Sequence, residues 1–207
     1  MKQMAFSTLL ATLIIAGSAG ASAGTIALEF STPPVNDWHW TGATIGWEFT
    51  TSNDLDITSL GVWDKDSDGL ADSHQVGIFT LGGSLLTSTT VNSGTGNTLE
   101  SEFRWADLAG SFNLSAGTYV VGAYMATSAD RGAAAASITT SSDVTFNRNL
   151  FLYGSGFSLP TNYWSGHDAG NFGANFQYES AAVPGPAPLG LFVLALAGLF
   201  FKRSQVA

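Results

Sequence analysis

The 207-residue sequence predicts an all-β protein, an antiparallel two-sheet β-sandwich of jelly-roll type. Three observations carry that expectation. Short runs of β-branched and aromatic residues are punctuated by clusters of Gly, Asn, Asp and Ser, which is the pattern of strands and turns. Within the runs apolar residues alternate with a period of two, and helical periodicity is scarce. Roughly nine such runs fill one domain-sized stretch, more strands than a single open sheet carries comfortably.

Taken in order, Thr25 to Phe30 is the first predicted strand. Thr44 to Thr50 follows, with Ile45, Trp47 and Phe49 on one face. In Leu55 to Trp63 the apolar phase changes between Leu55/Ile57 and Leu60/Val62, which predicts a bulge near Ser59. His74 to Leu81 and Ser84 to Val91 flank Gly82-Gly83, a two-residue hairpin signal. Asn92 to Asn97 reads as a loop and Thr98 to Trp105 as a strand. Ala106 to Asn113, with Asp107 and Gly110, reads as a connecting loop or short helical turn. Gly117 to Ala126 is the most strand-like run. Ser128 to Ser142 is small and polar, and a short helix competes at Ala133 to Ala136. Val144 to Tyr153 is a strand, Ser155 to Asn171 a long loop rich in Gly and aromatics, and Phe172 to Tyr178 alternates strictly and closes the sheet.

The two ends read as targeting segments. Lys2, the apolar run Met4 to Ala16 and the small residues Ala21-Ser22-Ala23 form a secretory signal peptide over residues 1–23, so the mature chain is expected to begin at Gly24. From Ala181 to Phe201 there is no charge. As one helix that run would reach ~32 Å, about a bilayer's hydrocarbon core. Pro184 and Pro186 disfavour helix at its start, so the expected transmembrane helix covers about 188–201, a short span. Lys202 and Arg203 then hold its end on the cytoplasmic side. Between these ends lies one exported domain, residues 24–180.

Val183, Pro184, Gly185 and Pro186, then the apolar span, then Lys202-Arg203 resemble the PEP-CTERM sorting tail of exported bacterial proteins. In that family a membrane protease-transpeptidase, exosortase, recognises the tail. Gly185 stands where the family name implies Glu. The resemblance implies an exosortase-like partner, transient residence in the inner membrane, and delivery to the cell surface or extracellular matrix, in association with exopolysaccharide or biofilm. The central run Ile45 to Tyr124, with GVWD, DGL, SHQVGI and AGTY, is similar to a family of domains of unknown function in secreted bacterial proteins. That second resemblance implies a β-sandwich and supplies no catalytic residues.

Composition narrows the chemistry. The chain has no cysteine, which excludes thiol catalysis and cysteine-built metal sites. Residues 24–180 hold four cations, Lys65, Arg104, Arg131 and Arg148, and all sixteen acids of the chain, a net charge of −12. Such a domain repels nucleic acid. No G-x-S-x-G nucleophile elbow occurs, and the acids cluster in turns, so a non-enzymatic role leads and a hydrolase is the weakest alternative.

Two stretches are candidate sites. Asp64, Asp66, Asp68, Leu70 and Asp72, with Gly69, match the spacing of the first part of an EF-hand-like loop and are candidate Ca²⁺ ligands, Leu70 through its carbonyl. Gln75 stands where the bidentate Glu belongs and the flanks are strands, so a solvated acidic turn is the competing reading. Trp38, Trp40, Tyr163 and Trp164 are candidate sugar contacts of a carbohydrate-binding module. The competing reading has those rings cap the ends of the core, since Trp is usually buried.

Overall fold

The computed structural model describes residues 24–32, 34, 36–134, 137–154, 156–163 and 171–180. The expected signal peptide, the expected sorting tail with its apolar span, Trp164 and the second half of the aromatic loop lie outside the described residues. Within them the protein is all-β, with one 3₁₀ turn at Lys65–Ser67 and no α-helix. Among the described residues no helix is long and apolar enough to cross a membrane.

Two five-stranded sheets face one another. The first runs β1 (Thr25–Ile26), β15 (Ala174–Ser180), β5 (Leu55–Trp63), β9 (Phe103–Leu114), β8 (Thr98–Glu100). The second runs β13 (Val144–Tyr153), β4 (Ala43–Thr51), β10 (Gly117–Met125), β6 (His74–Thr80), β7 (Leu85–Val91). All pairings are antiparallel. A three-stranded sheet, β14 (Asn171–Phe172), β11 (Arg131–Ala134), β3 (Asn36–His39), and a two-stranded one, β12 (Ile138–Thr140) with β2 (Leu28–Phe30), complete the set.

The core lies between the five-stranded sheets, as in a β-sandwich. The predicted inward face of β4, Ile45, Trp47 and Phe49, is fully buried. Trp47 stacks on Phe176 of β15 with ring centroids 5.8 Å apart, and Phe49 meets the same ring at 4.7 Å. The indole N–H of Trp47 donates to the Ala174 carbonyl at 2.8 Å, so its one polar atom is satisfied where the two sheets meet.

Several expected boundaries shift, each for a local reason. The bulge near Ser59 is present: Thr58 falls out of register against both β9 and β15. Opposite it, pairing jumps from Ile57↔Phe112 to Ser59↔Asp107. The expected loop Ala106–Asn113 is therefore not a loop but part of one long strand, β9, in which residues 108–111 bulge out of the pairing, and Asp107 accepts a hydrogen bond from Ser59 Oγ at 2.8 Å. Thr98–Trp105 is two strands. Ser101 and Glu102, both at positive φ (48° and 66°), turn the chain between them without a glycine to announce it. The Gly82-Gly83 hairpin turns on three residues, since Thr80 N–H bonds the Ser84 carbonyl and Gly83 (φ 93°) takes the left-handed position. Arg131–Ala134 is strand β11, not helix. The first predicted strand breaks at Ala27, which passes from β1 on the edge of one sheet to β2 in the small one.

The second sheet has a covered outer face. Gly77, Gly122 and Gly46 stand in one cross-strand row, which ends on Leu150. Residues 156–163 lie along that row. Phe157 packs on Phe79 at 5.0 Å, Ser158 N–H donates to Thr44 Oγ1 at 3.3 Å, and Asn162 exchanges both backbone hydrogen bonds with Phe151 at 2.9 Å. Side chains at Gly77 and Gly122 would point at the strap, whereas one at Gly46 would meet the backbone of β10. A Cβ at Gly122 would stand 3.5 Å from Pro160 Cδ, and one at Gly77 3.1 Å from Phe157 Cζ.

Candidate functional site

The acidic segment after β5 is not a hairpin loop. It carries the chain from one sheet to the other, since β5 and β6 belong to different sheets. The segment after β7, residues 92–97, makes the return crossing to β8. The two crossings touch: Leu70 and Gly94 exchange backbone hydrogen bonds at 2.6 and 3.3 Å. Gly69, at φ 115°, is needed twice over, since a Cβ there would also come within 3.1 Å of the Gly94 backbone.

Arg104 ties the crossings together. It enters from β9 and is 5% exposed. Its Nε donates to Asp64 Oδ2 at 2.7 Å and its Nη2 to the Ser67 carbonyl at 3.1 Å. Its Nη1 donates to the carbonyls of Thr95 and Asn97 at 3.3 and 3.1 Å. Asp64, itself 2% exposed, also accepts the Gly69 N–H. A carboxylate and three carbonyls around one buried positive charge are the oxygen shell that a hard cation would want, and here a guanidinium fills it.

The remaining predicted ligands are drawn apart. The Asp72 carboxylate accepts from the Thr127 hydroxyl. Asp66 and Asp68 are exposed. Leu70 is buried and its carbonyl faces Gly94. Among the described residues no three His, Cys, Asp or Glu side chains group as a metal site. In this arrangement the Asp64 and Asp72 carboxylates face Arg104 and Thr127 and not each other.

A second buried carboxylate closes the far end of the loop. Asp130 accepts from the N–H groups of Ala71 and Asp72 at 2.9 and 2.8 Å and meets His74 Nε2 at 2.8 Å. Burial pushes the Asp130 carboxyl up, but the hydrogen bonds from His74 and those two amides prevail and hold it below the usual value. His74 Nδ1 faces the Tyr124 carbonyl at 3.0 Å, so both ring nitrogens are engaged inside the protein. Beside it, Asp37 takes Lys65 at 2.5 Å and Arg131 at 2.9 Å, and Arg131 also touches His39. The hydrogen bond from Lys65, aided by both positive charges and opposed by burial, holds Asp37 low. Between the loop and β11 lies a concavity of about 300 Å³ lined by Lys65, Asp66, Asp68, Asp130 and Arg131, among others.

Among the described residues the aromatic candidates Trp38, Trp40 and Tyr163 differ in their settings. Trp40 is 2% exposed, packed on Phe151 and Tyr153 at 5.4 and 5.5 Å, so its ring is core and not a sugar contact. Trp38, on β3, is about a third exposed and pairs across to Gly132, whereas its neighbours Asp37 and His39 alternate to the opposite face with Arg131. Tyr163 is exposed at the end of the strap.

Arg104, Asp130, His74 and Thr127 went unpredicted as site residues. A signal for Arg104 exists in its setting: a cation between Phe103 and Trp105 in a strand, in a domain with four cations and sixteen acids, has to find a carboxylate inside. All four of those cations do pair with one, the fourth being Arg148 with Glu48 at 2.6 Å.

Fold and site together define a cysteine-free, acidic, all-β domain whose loop end is organised by internal ion pairs. The chain belongs to a domain family of unknown function (DUF4082), whose model matches residues 31–172. That match contains the run Ile45–Tyr124 whose motifs suggested such a family and extends beyond it on both sides. No curated protein and no solved structure matches the chain.

Proposed function

We propose that this is a non-enzymatic exported protein of the bacterial surface or extracellular matrix, sorted through its C-terminal tail by an exosortase-like membrane enzyme and associated with exopolysaccharide or biofilm. The observation that carries the reading is the order of parts in the tail: Val183-Pro184-Gly185-Pro186, an uncharged span over about 188–201, then Lys202-Arg203. A cleavable signal peptide over residues 1–23 agrees with it.

The fold adds support. Thr25 pairs with Tyr178, so the first and last strands of the domain are neighbours in one sheet. The two ends of the described domain therefore lie side by side, which suits a domain held at a membrane by either end. Buried pairs in place of disulfides suit a cysteine-free exported domain. The His74–Asp130 pair does not favour a hydrolase, because its imidazole is 1% exposed and has no nitrogen free to take a proton from a substrate.

The test replaces Pro184 and Pro186 together in the native host. The expected result is an unprocessed chain retained in the inner-membrane fraction, while the parent is shortened and released. A double variant that matures and leaves the membrane like the parent would make the tail a plain anchor.

A further inference from the structure

We propose that the concavity between the acidic crossing loop and β11 is a binding site for a neutral sugar unit of the polymer with which the protein associates; this rests on the surface-protein reading above. Its volume, about 300 Å³, lies at the small end of the range for ligand pockets. Its walls are almost wholly polar, unlike the apolar pockets that take drug-like molecules. Donors and acceptors line the same space: Lys65 and Arg131, and with them Asp66, Asp68 and the largely buried Asp130. A sugar hydroxyl both donates and accepts, and a pair of neighbouring hydroxyls matches a carboxylate on one side and a cationic donor on the other.

The charges choose among ligands. Lys65 and Arg131 share the single carboxylate of Asp37, and with Asp66, Asp68 and Asp130 the carboxylates outnumber the two cations, so an anionic sugar is disfavoured. A bare divalent ion is disfavoured as well, because two cationic side chains line the same space. A neutral polyhydroxylated ligand meets neither objection. The site is also held in advance. Asp130 grips the amides of Ala71 and Asp72, Arg104 grips the Ser67 carbonyl, and Asp37 fixes both cationic donors, so little ordering is left to binding.

The test measures binding of the full chain to neutral gluco-, galacto- and manno-oligosaccharides and to their uronate counterparts, by ligand-observed NMR with chelator present. One variant combines Asp66→Asn with Asp68→Ala, whose side chains are exposed. Asn suits the positive φ of Asp66 (66°), so the fold should be retained. A second is Arg131→Gln, and Tyr163→Ala serves as the control. The expected result is binding of at least one neutral series and not its uronate form, weakened about tenfold or more in both pocket variants and unchanged in the control, with the melting temperature of the Asp66/Asp68 variant as in the parent. No neutral binding, equal or stronger uronate binding, or pocket variants that bind like the parent would each overturn the proposal. A chain that is processed and released yet binds no neutral sugar rejects the pocket alone. A chain that binds sugar yet keeps its tail rejects the sorting reading alone.

Discussion

The crossing loop Asp64–Ser73 and the strap 156–163 are both long, irregular connections, and they are held by opposite means. The crossing loop closes one end of the sandwich and is fixed by charge. A buried guanidinium and a buried carboxylate satisfy carbonyls and amides that would otherwise face each other without water. The strap crosses the outer face of a sheet and is fixed by shape. A row of glycines leaves a trench, and Phe157 and Pro160 lie along it. A backbone that leaves the sheets needs partners for its polar groups where it is buried, and it needs room where it lies across a sheet.

The difference predicts how each region breaks. The largest effect is expected at the charged clasp. Arg104→Met keeps the length of the stem but leaves Asp64 buried and unpaired, and the cost should be about 3–5 kcal/mol, read from chemical denaturation. A loss under ~1 kcal/mol would mean that Arg104 does not hold the loop. The strap should be less sensitive and should fail by crowding. Gly122→Val places methyl groups against Pro160 and Thr44, with an expected loss of about 1–3 kcal/mol. An unchanged stability there would mean that the strap does not lie on the row.

Acid separates the two regions without mutation. Asp37 and Asp130, both at the loop end, are held below the ordinary value of 3.8 in the folded chain. On acidification the unfolded chain takes up these protons first. The stabilisation is therefore complete above the ordinary value and is lost as pH falls from there through the lowered folded values. Amide hydrogen exchange should show residues 64–73 opening in that window while residues 156–163 keep their protection. Equal opening of both would contradict the distinction.

Much of the sandwich was legible because its strands obey the period of two. β4, β10 and β13 fall where their alternation puts them, and the bulge at Thr58 announces itself by a change of phase. β9 was not legible, because a bulge over residues 108–111, with Gly110 in it and Asp107 just before it, interrupts the strand and imitates its end. The turn at Ser101-Glu102 was hidden because neither residue is one that usually takes positive φ. At the loop end the spacing Asp64, Asp66, Asp68, Gly69 was visible, but the identity of the cation was not. Arg104 lies forty residues away in sequence, and only the antiparallel pairing of Trp63 with Phe103 brings it to Asp64. Local spacing pointed to an oxygen shell for a cation, and in the folded chain the Arg104 guanidinium lies against Asp64.

Calcium titration of the full chain's thermal melting tests that substitution most directly. With Arg104 as the loop's own cation, millimolar calcium and an excess of chelator should give the same melting temperature to within about a degree. An ion bound at ~10⁻⁴ M by an EF-hand-like loop would instead add ~1.4 kcal/mol at millimolar calcium, a rise of a few degrees. Such a rise, abolished by replacing Asp66 and Asp68, would show that the acidic loop holds calcium and would contradict the account.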